Sequence, residues 1–251
     1  MVLEYHSFMH SVVQFLVGKD RKRFLIHTEL SSSIPSEILR PPIVEEIDEV
    51  VFGRFCEFVY SGDYSVPSPI YDGLGNQAPT EPVRQWDPAR LTWNFFHPEN
   101  LPIVCADLRE RLGQVNPKYR ANDESTTNPK DSYADIFLCH AEMYRFASRT
   151  GWTALYHLTL YHLLQLLANF ALCEERTRDI VTLFKFVFEE IDSEFEGIGD
   201  INGFEGRGNI KNLLGDYALW NLEILMRDAD FQLVLDKMPS LKKGFFRWMW
   251  K

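Results

Sequence analysis

The sequence predicts an α+β fold, in which a small β-sheet is flanked by a cluster of α-helices and further helices follow toward the C-terminus. Three observations predict it. Two short runs of alternating apolar residues, 11–17 and 23–27, surround a polar turn. Helical periodicity then runs through 45–64. After a proline-rich interval, helical periodicity resumes at residue 132 and continues almost to the end.

The first element is a predicted β-hairpin. SVVQFLV, at 11–17, places Val13, Phe15 and Val17 on one side of a strand. The turn GKDRK separates it from RFLIH, in which Phe24 and Ile26 face the same way. Alternation on both sides of a glycine-containing turn is typical of a hairpin. The residues that follow suggest only a short helical piece, around 37–39.

The next element is a predicted helix over 45–64. Asp48 is suited to cap its first turn, and Gly62 is suited to end it. Apolar residues at helical spacing form one face of this segment: Phe52, Phe55, Cys56, Val59 and Tyr60.

Residues 65–131 differ in composition from the rest and hold nine of the 13 prolines. We interpret them as an insertion that is largely disordered, because a structureless loop this long is rare inside a compact domain. One part, NLPIVCADLRERLG, carries an apolar stripe that includes Leu101 and Leu108. This stripe predicts a short helix, which either docks onto the domain or folds on a partner.

After the insertion the chain is predicted to be helical. The periodicity gives five helices, at 132–149, 152–170, 173–191, 209–226 and 229–236. The loop GIGDINGFEGRG follows an acidic helix and lacks the pattern of a phosphate-binding loop, so we interpret it as a connector.

Composition restricts the partners and the compartment. The net charge is −10, which disfavours direct binding to nucleic acid. The four cysteines lie far apart, without a CxxC pair, which favours an intracellular location in the cytoplasm or nucleus. The first 20 residues lack the pattern of a signal peptide, and no apolar run is long enough to predict a membrane span.

A possible catalytic site is suggested by FLCHAEMYRFASRTG, at 137–151, where Cys139 and His140 are neighbours and Glu142 is close. Adjacent residues on a helix point about 100° apart, so these side chains diverge rather than meet. A cysteine-dependent hydrolase or transferase would therefore need Cys139 or Cys56 together with a distant histidine. We favour packing roles for this stretch, and no catalytic residue is predicted.

Metal and cofactor sites are also not predicted. His157 and His162 are five residues apart, not the four that place two imidazoles on one helix face. His6 and His10 have that spacing but no further ligands at a suitable distance.

Three stretches resemble a known family. They are VVQFLVGKDRKRFLIHTELSSS, EEIDEVVFGRFCEFVYSGDYSVPSP and YADIFLCHAEMYRFASRTGWTALYHLTLYHLLQLL. In this order they resemble the BTB (POZ) domain proteins, in particular the fungal type with a long insertion and a C-terminal helical extension. The residues that carry the resemblance are His27, Leu30, Tyr60, Gly62, His140, Ala141, Tyr144, Ala147 and Gly151.

The resemblance implies a BTB/POZ-like domain at 1–170, interrupted at about 65–131, and a helical extension at 171–251. It also implies a non-enzymatic protein–protein interaction module. Such a module would be a homo-oligomerising adaptor or a substrate adaptor for a cullin-based ubiquitin ligase, with itself or a cullin as partner. A third possibility is a transcription-associated scaffold that acts through a partner. The candidate partner-binding residues are Phe52, Phe55, Tyr60, Tyr144, Leu101 and Leu108.

Overall fold

The computed structural model describes residues 12–31, 34, 38, 46–71, 130–170, 172–191, 210–238 and 242. Within these residues the protein combines helices with two small antiparallel sheets of two strands each, so the α+β class is confirmed. The strands are β1 (Val12–Val17), β2 (Lys22–His27), β3 (Ile70–Tyr71) and β4 (Asp131–Ser132).

Eight α-helices lie in the described part of the chain. In order they are α1 (Thr28–Ser31), α2 (Glu49–Ser61), α3 (Ala134–Thr150), α4 (Thr153–Asn169), α5 (Thr177–Lys185), α6 (Ile210–Trp220), α7 (Leu222–Leu225) and α8 (Ala229–Lys237). A 3-10 turn, Glu174–Arg176, leads into α5, and a π-helical turn, Phe186–Ile191, continues it. None of the helices in these residues is long and apolar enough to cross a lipid bilayer.

The predicted hairpin is confirmed, with Val12 opposite His27 and Val17 opposite Lys22. Its turn uses positive φ angles at Gly18 (74°) and Arg21 (52°). A Cβ atom on Gly18 would lie 2.8 Å from Cγ of Glu49, so a side chain here would collide with the start of α2. The Lys22 ammonium also lies 3.4 Å from the Glu49 carboxylate. The hairpin turn therefore sits directly on the N-terminus of α2.

The predicted ends of the helix at 45–64 are confirmed by its hydrogen bonds. Oδ1 of Asp48 accepts from the backbone N–H groups of Val50 (2.7 Å) and Val51 (3.3 Å). Gly62 adopts a left-handed conformation, and its N–H donates to the Phe58 carbonyl. The helix starts at residue 49 rather than 45, because the cap at Asp48 defines its first turn.

The ends of the predicted insertion belong to the fold. Ile70 pairs with Ser132 and Tyr71 with Asp131, so the chain leaves and re-enters the domain at one place. Asp179 of α5 accepts hydrogen bonds from the Ser132 hydroxyl (3.0 Å) and from the Tyr133 N–H (2.8 Å). A side chain from a distant helix thus holds the two residues that precede α3. Residues 66–71 and 130–131 lie among the described residues. The limits of the insertion, at about 65 and 131, stay a prediction from sequence.

The helical pair α3 and α4 is joined by the turn predicted at Gly151. This residue has φ 67°, and the N–H of Trp152 donates back to the Ala147 carbonyl at 3.0 Å. Ala141 and Ala147 are fully buried, which lets other elements approach α3 closely. Trp152 extends from the turn to α2, where its ring contacts Phe55 and Phe58.

The buried apolar residues form one connected core from Phe15 to Met238. At its C-terminal side, the rings of Phe184 in α5 and Phe231 in α8 meet edge to face at 5.5 Å. Because α5–α8 share this core with the preceding elements, no break in packing marks residue 170. The division there stays a prediction from sequence.

Several predicted features lie outside the described residues. They are the helical piece around 37–39 apart from Ile38, the stripe with Leu101 and Leu108, and the glycine-rich loop at 197–208.

Candidate interaction surface

The outer face of the β1–β2 hairpin exposes three aliphatic side chains. Val12, Leu16 and Leu25 are 47%, 40% and 55% exposed. Leu25 lies opposite Gln14, so Val12 and Leu16 are its diagonal neighbours on the same face. We call Val12, Leu16 and Leu25 the hairpin triad. Three such side chains together are a feature of binding surfaces rather than of scattered surface residues.

The opposite face of the hairpin is anchored in the core. Phe15 is 5% exposed, and its ring centroid lies 5.4 Å from that of Phe52 in α2. Phe24 meets the same ring at 5.0 Å, edge to face. These contacts, with the salt bridge of Lys22 described above, hold the hairpin against α2. The hairpin triad therefore lies on a hairpin that its contacts with α2 hold in place.

The contact between Tyr60 and His27 closes one edge of the hairpin. The N–H of His27 donates to the Tyr60 hydroxyl at 3.1 Å, and the same hydroxyl lies 2.7 Å from Nδ1 of His27. The two rings meet edge to face at 5.8 Å. The Tyr60 hydroxyl therefore satisfies this backbone N–H, which is not left unpaired at the strand end. Tyr60 remains 50% exposed.

The predicted partner-binding residues have very different positions. Phe52 and Phe55 are fully buried, and Tyr144 is 7% exposed, with its hydroxyl donating to that of Tyr156 at 3.3 Å. These three are core residues and are not accessible to a partner in this structure. Tyr60 is on the surface, next to the hairpin.

Sequence reasoning missed the hairpin triad. The sequence did indicate this surface, because both faces of β1 are apolar. Val12 and Leu16 alternate with Val13, Phe15 and Val17. A strand with one face in water normally alternates apolar with polar residues. Val12 and Leu16 depart from that pattern and so indicated a second face that makes contacts.

The residues that carry the family resemblance take structural positions. His27 contacts Tyr60, Gly62 ends α2, and Gly151 ends α3. Leu30 is partly buried against the core. His140, Ala141, Tyr144 and Ala147 are buried along α3, as expected for packing positions.

A buried polar group links α3 and α4 to the loop after α2. Nδ1 of His140 lies 2.7 Å from the Tyr64 hydroxyl, and Nε2 of His162 donates to Oδ1 of Asp63 at 3.1 Å. Burial, the neighbouring His162 and the Arg54 guanidinium hold the pKa of His140 well below its usual value. His140 is therefore neutral at physiological pH and holds the loop in place.

The thiols considered for catalysis are not activated. Burial raises the pKa of Cys139 to about 12, and burial with the Glu57 carboxylate raises that of Cys56 to about 12. Sγ of Cys139 donates weakly to the carbonyl of Ser65 at 3.9 Å rather than to a histidine. A nucleophilic cysteine requires the opposite shift, because the thiolate is the reactive form.

A small cavity of about 140 Å³ lies between the start of α2 and the second half of α3. Val51 and Phe146 provide apolar walls, and charged side chains of both signs surround them. Of these charges, Arg149 pairs with Glu46 at 2.9 Å. Glu142 and Arg145 pair with residues outside the lining, Arg54 at 3.7 Å and Glu190 at 3.4 Å. Burial, partly offset by Arg54, raises the pKa of Glu142. With its charges paired, this cavity is a weaker candidate than the hairpin face.

Within the described ranges, no group of three or more histidine, cysteine or acidic side chains is arranged to hold a metal ion. Comparison with protein-family models, with curated proteins and with solved structures finds no match to this chain. The geometry of the chain itself therefore carries the functional argument.

Proposed function

We propose that this chain is a non-enzymatic protein-interaction module of the BTB type. The observation that carries the proposal is the hairpin triad, an exposed apolar face on a hairpin whose other face is held in the core. Burying three aliphatic side chains of this kind contributes a few kcal/mol to an association.

Two further features support the proposal. Cys56 and Cys139 have raised pKa values, which disfavours the alternative of a cysteine-dependent enzyme. His27 and Tyr60, which carry part of the BTB resemblance, are in direct contact beside the hairpin. The resemblance adds two specific roles to the proposal, self-association as an adaptor and the presentation of substrates to a cullin-based ubiquitin ligase.

The test uses two matched variants, Leu25→Asp and Leu233→Asp. Leu25 in the hairpin and Leu233 in α8 are 55% and 57% exposed, so both changes place a charge on an exposed apolar site. Light scattering after size exclusion measures self-association of the full chain, and co-purification measures recovery of a cullin. We expect Leu25→Asp to lower either self-association or the recovery of a cullin by about tenfold. Leu233→Asp should change neither measurement.

Two results would count against the proposal. Wild-type chain that stays monomeric at high concentration and recovers no cullin contradicts both specific roles. Association that is equally strong in the two variants shows that the hairpin triad does not carry it. Circular dichroism of both variants establishes that each has kept its fold.

A further inference from the structure

We propose that the outer face of the β1–β2 hairpin binds an acidic segment of another protein that also carries aliphatic side chains. This inference rests on the proposed function and specifies the chemistry of the partner. It depends on the charge of the hairpin, which differs in sign from the rest of the chain.

The hairpin carries a net positive charge in an acidic protein. Residues 12–27 contain four lysines or arginines and one aspartate, a net charge of +3 (4 − 1). Since the whole chain carries −10, the remaining residues carry −13 (−10 − 3). A local positive field in an otherwise negative molecule selects negatively charged partners and speeds their encounter.

Two of these cations are free to act on a partner. Lys22 already lies against Glu49 and 5.7 Å over the ring of Phe24. Lys19 and Arg23, both exposed, have no acidic partner among the described residues. Arg23 lies directly opposite Leu16, on the same face as the hairpin triad. A partner that covered the triad would therefore reach the Arg23 guanidinium, and Lys19 stands at the adjacent turn.

The acidic groups are expected to come from another protein rather than from a second copy. A second copy carries the same positive hairpin. In a symmetric dimer formed through this face, the Lys19 and Arg23 side chains of the two copies would lie near one another, and like charges at an interface are unfavourable. Nucleic acid is disfavoured by the charge of −10 and leaves the aliphatic triad without an apolar contact.

The experiment compares three fluorescent peptides with the same spacing of leucines, in which glutamate, glutamine or lysine occupies the intervening positions. Binding to the full chain is measured by fluorescence anisotropy at about 50 mM and about 500 mM NaCl. We expect only the glutamate peptide to bind, and to bind more weakly at the higher salt concentration.

Variants of the full chain then locate the site. The double variant Lys19→Glu with Arg23→Glu reverses both cations. We expect it to lower the affinity for the glutamate peptide by about tenfold or more. Leu25→Asp is expected to lower this affinity by a comparable factor. Arg178→Glu, on the exposed side of α5, is the matched control and should change nothing. Equal binding of all three peptides, or binding that survives the double reversal, would overturn the proposal.

Two other partners give distinct results. The chain could instead bind vesicles that contain anionic lipid and fail to bind the glutamate peptide. This result would show that the face recognises a membrane surface. Self-association that is lost in Leu25→Asp but kept in the double reversal would support the proposed interaction module and overturn the acidic partner. Failure of this inference is thereby separated from failure of the proposed function.

Discussion

The imidazole rings of His140 and His162 lie parallel, with an interplanar angle of 2° and centroids 5.4 Å apart. Each ring holds one residue of the loop after α2, because His140 contacts Tyr64 and His162 contacts Asp63. Tyr64 is itself 3% exposed, and its ring meets both imidazoles edge to face. Two buried histidines, one from α3 and one from α4, therefore hold this loop in place.

The stability of the protein should fall as the pH is lowered from about 7 to about 5.5. His140 has a folded-state pKa well below its usual value, so below pH 6.5 the unfolded chain binds a proton that the folded chain does not. Stability is then present above the unfolded pKa and lost below it, by about 1 kcal/mol over this range. His157, whose pKa is lowered by burial, acts in the same direction. Urea unfolding at several pH values measures the slope.

The variant His140→Asn tests the assignment of this slope to His140. Asparagine keeps a polar group near the Tyr64 hydroxyl but does not titrate. We expect it to be less stable at pH 7 by about 1–2 kcal/mol and to lose less stability on acidification. An unchanged slope would assign the pH dependence to other groups.

The contact between Tyr60 and His27 should stabilise the hairpin modestly. Tyr60→Phe removes the hydroxyl that accepts from the His27 N–H, and we expect a loss of about 0.5–1.5 kcal/mol in the free energy of unfolding. A double-mutant cycle with His27→Ala measures the coupling of the side chains, because the interaction of Nδ1 with the hydroxyl is lost in either variant. If the effects of the two variants on the free energy of unfolding are strictly additive, the result contradicts a direct interaction of the two side chains. Faster amide exchange at His27 in Tyr60→Phe would report the backbone bond separately.

Removal of residues 72–130 should leave the rest of the described fold intact. Tyr71 and Asp131 flank this segment, and the β3–β4 pairing places them opposite one another. A two-residue Asn-Gly linker can close a hairpin of this kind. We expect the shortened chain to keep its helical circular dichroism and a urea midpoint no lower than that of the full chain, since a shorter loop costs less entropy to close. A shortened chain that fails to fold would show that the segment contributes to the core.

The three described cysteines should react slowly with thiol reagents. The pKa of Cys173 is raised to about 11, mainly by burial, and those of Cys56 and Cys139 to about 12. In a Cys105→Ser background, we expect alkylation at neutral pH to be slower than that of free glutathione and to become rapid in urea. A cysteine that is alkylated faster than glutathione in the folded protein would revive the enzymatic alternative.

Local features of the fold were predictable from local sequence. The hairpin follows from alternation around GKDRK, and the ends of α2 follow from Asp48 and Gly62, because caps and turns depend on neighbouring residues. The same holds for Gly151, which ends α3. The sequence predicted less well which residues of each element are buried. Phe52, Phe55 and Tyr60 were grouped as one helical face, but the first two are in the core and the third is exposed.

The buried histidine pair shows why the remainder was not predictable. His140 and His162 are 22 positions apart, and their partners Tyr64 and Asp63 are about 76 and 99 residues away along the chain. Nothing in the spacing of these residues indicates contact. The hydrogen bonds that Asp179 of α5 accepts from Ser132 and Tyr133, and the pairing of β3 with β4, are non-local in the same way.

By itself, the sequence determined the α+β class, the hairpin, most helix limits and the acidic character of the chain. Periodicity, caps and composition are properties of short segments and carry this information directly. Only the tertiary structure decided which apolar residues are buried and which form the exposed hairpin triad. It also decided that the Cys139 and Cys56 thiols are held protonated. Burial and the pKa values that depend on it arise when distant elements pack together, so no single segment encodes them.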